Sequence, residues 1–176
     1  TAQANSLTTS HLYAMSTNQV ASLETDDLAV LSTQQLQGFK NFQITSLTTN
    51  QLSSLSSTQV GGLKTSQIAA LTTDQVQSLL TSQLNNLGTS QVVAMTTKQV
   101  VALTTDQIGN LGTKQLSAFT AKQVAVIETD DLQVLDTKQL SAMTTAQLAA
   151  MTTDQIVALT TVQVSNLTTA QIASLT

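Results

Sequence analysis

A large apolar residue stands at every eighth position from Leu7 to Leu175, and no insertion breaks the spacing. This period limits the possible folds more than any other feature of the chain. It divides the 176 residues into 22 octads. Counting each octad from its large apolar residue, slot three is Thr except at Asn41, Ser57 and Ala121. Slot five is Gln except at His11, Asp27 and Asp131, and slot six is Val, Leu or Ile except at Ala4. Slot eight is small, as in Gly62, Ser78 and Ala102. Slots two, four and seven drift among polar and small residues, as exposed positions do.

Neither a continuous helix nor a continuous strand accommodates this grammar. Eight helical residues turn about 800°, so the apolar stripe would slip about 80° per octad and wrap the whole surface. In a strand, slots one and six have opposite parity and would face opposite sides. A short helix that stops and restarts in every octad fits. The Thr of slot three is the expected N-cap, because its hydroxyl accepts a free first-turn N–H. Slot two is the weaker cap candidate, since Glu24, Lys64 and Leu80 occupy it. A slot-two cap would instead put Gln at the capping-box position and pair slots one and six as a hydrophobic staple. With the cap at slot three, the helix covers slots four to eight and the following slot one.

A helix this short does not persist alone. One octad buries a Leu and a Val, worth about 3–6 kcal/mol, against about 8–16 kcal/mol for ordering eight backbones. Octads must therefore pack on octads. The expected architecture is an all-α solenoid or superhelix with one helix of one to two turns per octad, a single repeat domain over residues 1–176. A β-solenoid with Thr and Gln ladders is the alternative, since Thr, Val and Ile favour strands; scarce Gly and absent Pro speak against its tight corners. A second period is visible: residues 97–119 align with 121–143, matching Lys98 to Lys122, Asp106 to Asp130 and Lys114 to Lys138. This 24-residue unit is either one solenoid turn of three helices or a unit of gene duplication.

Composition excludes several functions. The chain has net charge −4, six scattered Lys and no Arg, so it lacks the basic stripe that displaces counterions from nucleic acid. It has no Cys for disulfides or thiolate metal sites. No apolar run reaches membrane-spanning length and no signal-peptide pattern is visible. Thr1 begins in mid-pattern, so a fragment of a longer array is expected. A solenoid cut from an array exposes apolar end faces, which implies weak end-to-end self-association.

Few residues invite chemistry. His11, the sole histidine, occupies a Gln slot and reads as a substitute hydrogen-bonder. Glu24, Asp26 and Asp27, and again Glu128, Asp130 and Asp131, form acidic clusters. They lack the Gly and dense oxygen spacing of a calcium loop, and they fall at expected helix starts, where negative charge is favoured. The Gln column is expected to bond backbone of a neighbouring octad, satisfying helix-end groups. No catalytic, cofactor-binding or metal-ligating residue is assigned, and no cofactor is expected.

Three resemblances follow from these residues. Leu103-Thr-Thr-Asp-Gln-Ile and Gln99-Val-Val-Ala-Leu resemble the opening of TAL-effector DNA-binding repeats. The base-reading residues and basic character of that family have no counterpart here, so DNA binding does not carry over. Regular Thr arrays resemble the surfaces of ice-binding proteins. Across all 22 octads the chain is similar to Leu-Thr-Thr-x-Gln-Val/Ile-x-Ala-Leu tracts in large secreted or surface proteins of Gram-negative bacteria, often beside RTX or adhesin modules. That similarity implies a non-enzymatic, extracellular spacer or scaffold, with a Thr-faced binding module for ice, a surface or a partner as the alternative.

Overall fold

The computed structural model describes residues 6–175; Thr1, and Ala4 with its exceptional slot-six residue, lie outside them. Among the described residues there are 21 α-helices and no strand. Each helix has four to six residues, about 6–9 Å of axis, and one falls in every complete octad. The all-helical expectation holds, and the β-solenoid does not.

The helices begin one residue earlier than expected. Slot two is the N-cap and the slot-three Thr is the first helical residue, as in Thr48 followed by Thr49–Ser54. Thr48 has extended backbone (φ −68, ψ 159). Its hydroxyl accepts the Gln51 N–H at 3.2 Å, while the Gln51 side-chain carbonyl accepts the Thr48 N–H at 2.8 Å. This reciprocal box requires the Gln three positions after the cap, which only slot two provides. Slot-two residues without a capping oxygen are tolerated because Gln supplies its half alone: Gln67 takes the Lys64 N–H at 2.9 Å and Gln83 the Leu80 N–H at 2.8 Å.

The helices stop without a left-handed residue, since no described residue has positive φ. The slot-one N–H instead closes a tight i→i+3 bond, as from Leu79 to the Val76 carbonyl at 3.2 Å. Leu79 itself is already extended (φ −64, ψ 136). The corner therefore needs neither Gly nor Pro, which accounts for their scarcity.

The chain forms two compact units, Thr1–Ala94 and Met95–Thr176. Within each, a helix packs on the helix three further along. In the first unit, Thr9–Ala14 packs on Thr33–Leu36, then Ser57–Gly61, then Thr81–Asn85. In the second, Thr105–Gly109 packs on Thr129–Gln133, then Thr153–Ala158. Three octads thus make one coil, so the 24-residue period matches a turn of the solenoid in each unit. Slots one and six fill the interior: Leu52, Val60, Leu116 and Val124 have no exposed surface, and Leu55 and Leu87 show 2%. Slot eight is small because coils approach closely there. At Gly62 even a methyl would fall 2.5 Å from Thr33 Cγ2.

Val100 and Val101 test this assignment, because adjacent and identical side chains are 1% and 44% exposed. Val100→Asp removes packed carbon and buries a carboxylate, so a loss of about 3–5 kcal/mol is expected. Val101→Asp should change stability by no more than about 0.5 kcal/mol. Urea melts of the two variants measure the difference, and equal losses would overturn the slot register.

Candidate functional site

The most regular polar feature is the slot-five Gln column, which lies inside the fold. Gln43, Gln67 and Gln83 have no exposed surface, and Gln75 has 2%. Each of these four side chains joins two helix ends. In Gln75 the amide oxygen accepts the Thr72 N–H at 3.0 Å, at the start of its own helix. The amide nitrogen donates to the Ile44 carbonyl at 2.9 Å and the Leu47 carbonyl at 2.7 Å, at the corner one coil below. The same pair of acceptors, 31 and 28 residues earlier, recurs in both units. Gln43 reaches Leu12 and Met15, and Gln155 reaches Val124 and Ile127. The expected bond to a neighbouring octad is therefore present, with the neighbour lying a full coil away in sequence. A carboxamide suits this place because it offers an acceptor and two donors, and buried backbone groups at a corner require partners.

His11 takes the Gln role locally. Its Nδ1 accepts the Thr8 N–H at 3.2 Å, and its backbone N–H donates to Thr8 Oγ1 at 3.2 Å. The acidic clusters fall at helix starts as expected, with Asp26 and Asp27 in the first turn of Thr25–Ala29 and Asp130 and Asp131 in that of Thr129–Gln133. The two are not equivalent. Asp27 is part-exposed, whereas Asp131 is 3% exposed and bonds the Thr105 side chain. Burial, the main cause, pushes its carboxyl above the ordinary 3.8. The described residues contain no group of three His, Cys, Asp or Glu placed to hold a metal ion. The slot-three Thr side chains cap nothing; most stand exposed on the outside.

Two recesses escaped the sequence reading. One, of about 450 Å³, is lined by Thr9, Tyr13, Gln37, Lys40, Asn41 and Lys64 among others. There the Lys40 ammonium lies 3.8 Å from the Tyr13 ring centre and 5.4 Å from that of Phe42. The other, of about 420 Å³, is lined by Glu128, Asp130, Thr152 and Asp154 among others. Tyr13, Gln37, Lys40, Lys64, Glu128, Asp130, Thr152 and Asp154 all occupy drifting slots. A 24-residue stacking register would have brought Lys40 and Lys64 together on paper, but the period alone left two explanations open. No described helix is long and apolar enough to cross a membrane.

A family model described as ALTTAQ repeat matches residues 20–57, 49–81, 79–113 and 124–161. No curated protein matches the chain.

The Gln bridge and the Thr cap should differ in weight. Gln75→Ala strands two buried carbonyls and leaves space, with an expected loss of about 2–4 kcal/mol. Thr72→Ala removes one capping bond, for about 1 kcal/mol. Chemical denaturation of the two variants provides the comparison, and a Thr72 loss exceeding that of Gln75 would contradict this ranking.

Proposed function

The chain belongs to the ALTTAQ repeat family, and on that premise we propose that it is a non-enzymatic spacer or scaffold segment of a large extracellular bacterial protein. One observation carries this reading. The buried polar side chains that recur through the array, the slot-five Gln residues, are engaged with backbone, on helix starts and on the corner a coil below. They hold coils together and leave no recurrent buried group for substrate chemistry. A stack in which each coil is bonded to the last can be lengthened by adding octads without redesigning a core.

Such a segment should yield to force coil by coil. Single-molecule pulling is expected to release length in steps corresponding to 24 residues, about 80 Å of extended chain each. Collapse of a whole unit in one event would argue against a modular spacer.

A binding module with a Thr-rich face is the second reading. It gains support from the cap position, since hydroxyls at slot two do the capping and those at slot three stand outside. The spacer reading expects no thermal hysteresis and no ice shaping at micromolar protein. Faceted ice crystals would reverse the order of the two readings.

A further inference from the structure

The sequence Glu-Thr-Asp-Asp-Leu occurs twice, at 24–28 and 128–132, and in both copies slot five holds Asp where the column has Gln. The second copy lies inside a stack. Its helix Thr129–Gln133 packs between Thr105–Gly109 below and Thr153–Ala158 above. The register of the column puts the carbonyls of Val100 and Leu103 beneath slot five, 31 and 28 residues earlier. Neighbouring Gln139 donates to the equivalent carbonyls of Ile108 and Leu111, at 3.5 and 2.7 Å. An ionised Asp131 has no hydrogen to donate there. Its side chain bonds Thr105, and the Glu128 cap makes no side-chain bond to the helix start.

The charges around Asp131 deepen the problem. Glu128 and Asp130 flank it on its own segment and their charges oppose its ionisation; Asp106 lies on the helix below and Asp154 on the helix above. The helix that leads into the lower corner, Thr97–Val101, contributes Lys98, which is exposed. A proton removes the buried charge and its repulsion from the neighbouring carboxylates, while the carboxyl keeps Thr105. The recess lined by Glu128, Asp130 and Asp154 lies beside this segment.

We infer that Asp131 is a proton-controlled latch between two coils of the second unit, closed when its carboxyl is protonated and loosened when it is ionised. The seam is then weakest where the array departs from Gln inside a stack, and a change of pH selects this corner as the first to open. Because the folded carboxyl holds its proton more tightly than the unfolded one, the stabilisation is complete below the ordinary value of 3.8. It is lost as pH rises through the raised folded value, and no further change follows above that.

The test compares the full chain with Asp131→Gln, Asp131→Asn and, as a control, Asp27→Gln, by urea unfolding at a series of pH values. The ratio of unfolding constants, native sequence over Asp131→Gln, should grow as pH rises from the ordinary carboxyl value through the raised folded one, by at most about tenfold per pH unit, and then level off. Asp131→Asn is neutral but shorter than Gln. It should abolish the same pH dependence while remaining less stable than Asp131→Gln at neutral pH. Asp27→Gln should leave the dependence in place. A ratio that does not change with pH, or an Asp131→Asn chain that keeps the native dependence, overturns the latch. So does a carboxyl titration by NMR that places Asp131 at or below the ordinary value.

Discussion

The glutamine amide at slot five solves the difficulty that dominates a fold of this kind. A helix leaves its first four N–H and last four C=O groups without internal partners, so a helix of four to six residues consists almost entirely of ends. Burying slots one and six draws those ends into the interior, where an unpaired backbone group carries a penalty of about 1–3 kcal/mol. The Gln51 side chain accepts one N–H from the start of its own helix and donates to the Val20, Ala21 and Leu23 carbonyls a coil below. Glu would keep the acceptor and lose both donors. Asn would keep both chemistries and fall one methylene short.

The period, the helical architecture and the outward role of slots two, four and seven were legible in the sequence, because each follows from geometry that repeats. The position of the cap was not. Weighing which residues make good caps favours slot three, where Thr is nearly invariant along the array. That reasoning treats the cap as one side chain acting alone. In the fold the cap is a pair, and its second member is the Gln, so Lys40 can stand at slot two while Gln43 accepts its N–H at 2.7 Å. The partner of the Gln amide was legible in kind but not in address. Leu12 and Gln43 become neighbours only through a three-helix coil, and the 24-residue period alone did not distinguish a coil from a duplicated gene segment. The Tyr13 and Lys40 recess was hidden for the same reason.

Closing each coil with its own amides and apolar pairs separates stability from surface chemistry. Slots one, five and six carry the packing, and slot eight holds nothing larger than Val or Asn. The remaining positions stay out of the apolar core, so residues as different as Phe42, Leu80 and Val157 stand exposed there, at 53%, 51% and 78%. Any affinity that distinguishes one such array from another must therefore reside in slots two, three, four and seven. Substitutions at these slots leave the coil intact, and a patch such as Tyr13 with Lys40 can arise without disturbing the seam beneath it.

The two Glu-Thr-Asp-Asp-Leu segments show where local sequence stops being informative. Their five residues are identical, yet Asp27 is part-exposed while Asp131 is 3% exposed. Among the described residues, Thr129–Gln133 is covered on both sides, by Thr105–Gly109 and Thr153–Ala158. That burial is set by octads 24 residues away in either direction, not by the five residues of the segment. A carboxylate at slot five is unremarkable at a helix start that faces water, since the first turn favours negative charge. Under another coil the same carboxylate loses its hydration, and burial outweighs the favourable helix start. In a repeat fold the meaning of a substitution is thus fixed by its neighbours one coil away, and a motif search along the chain cannot supply it.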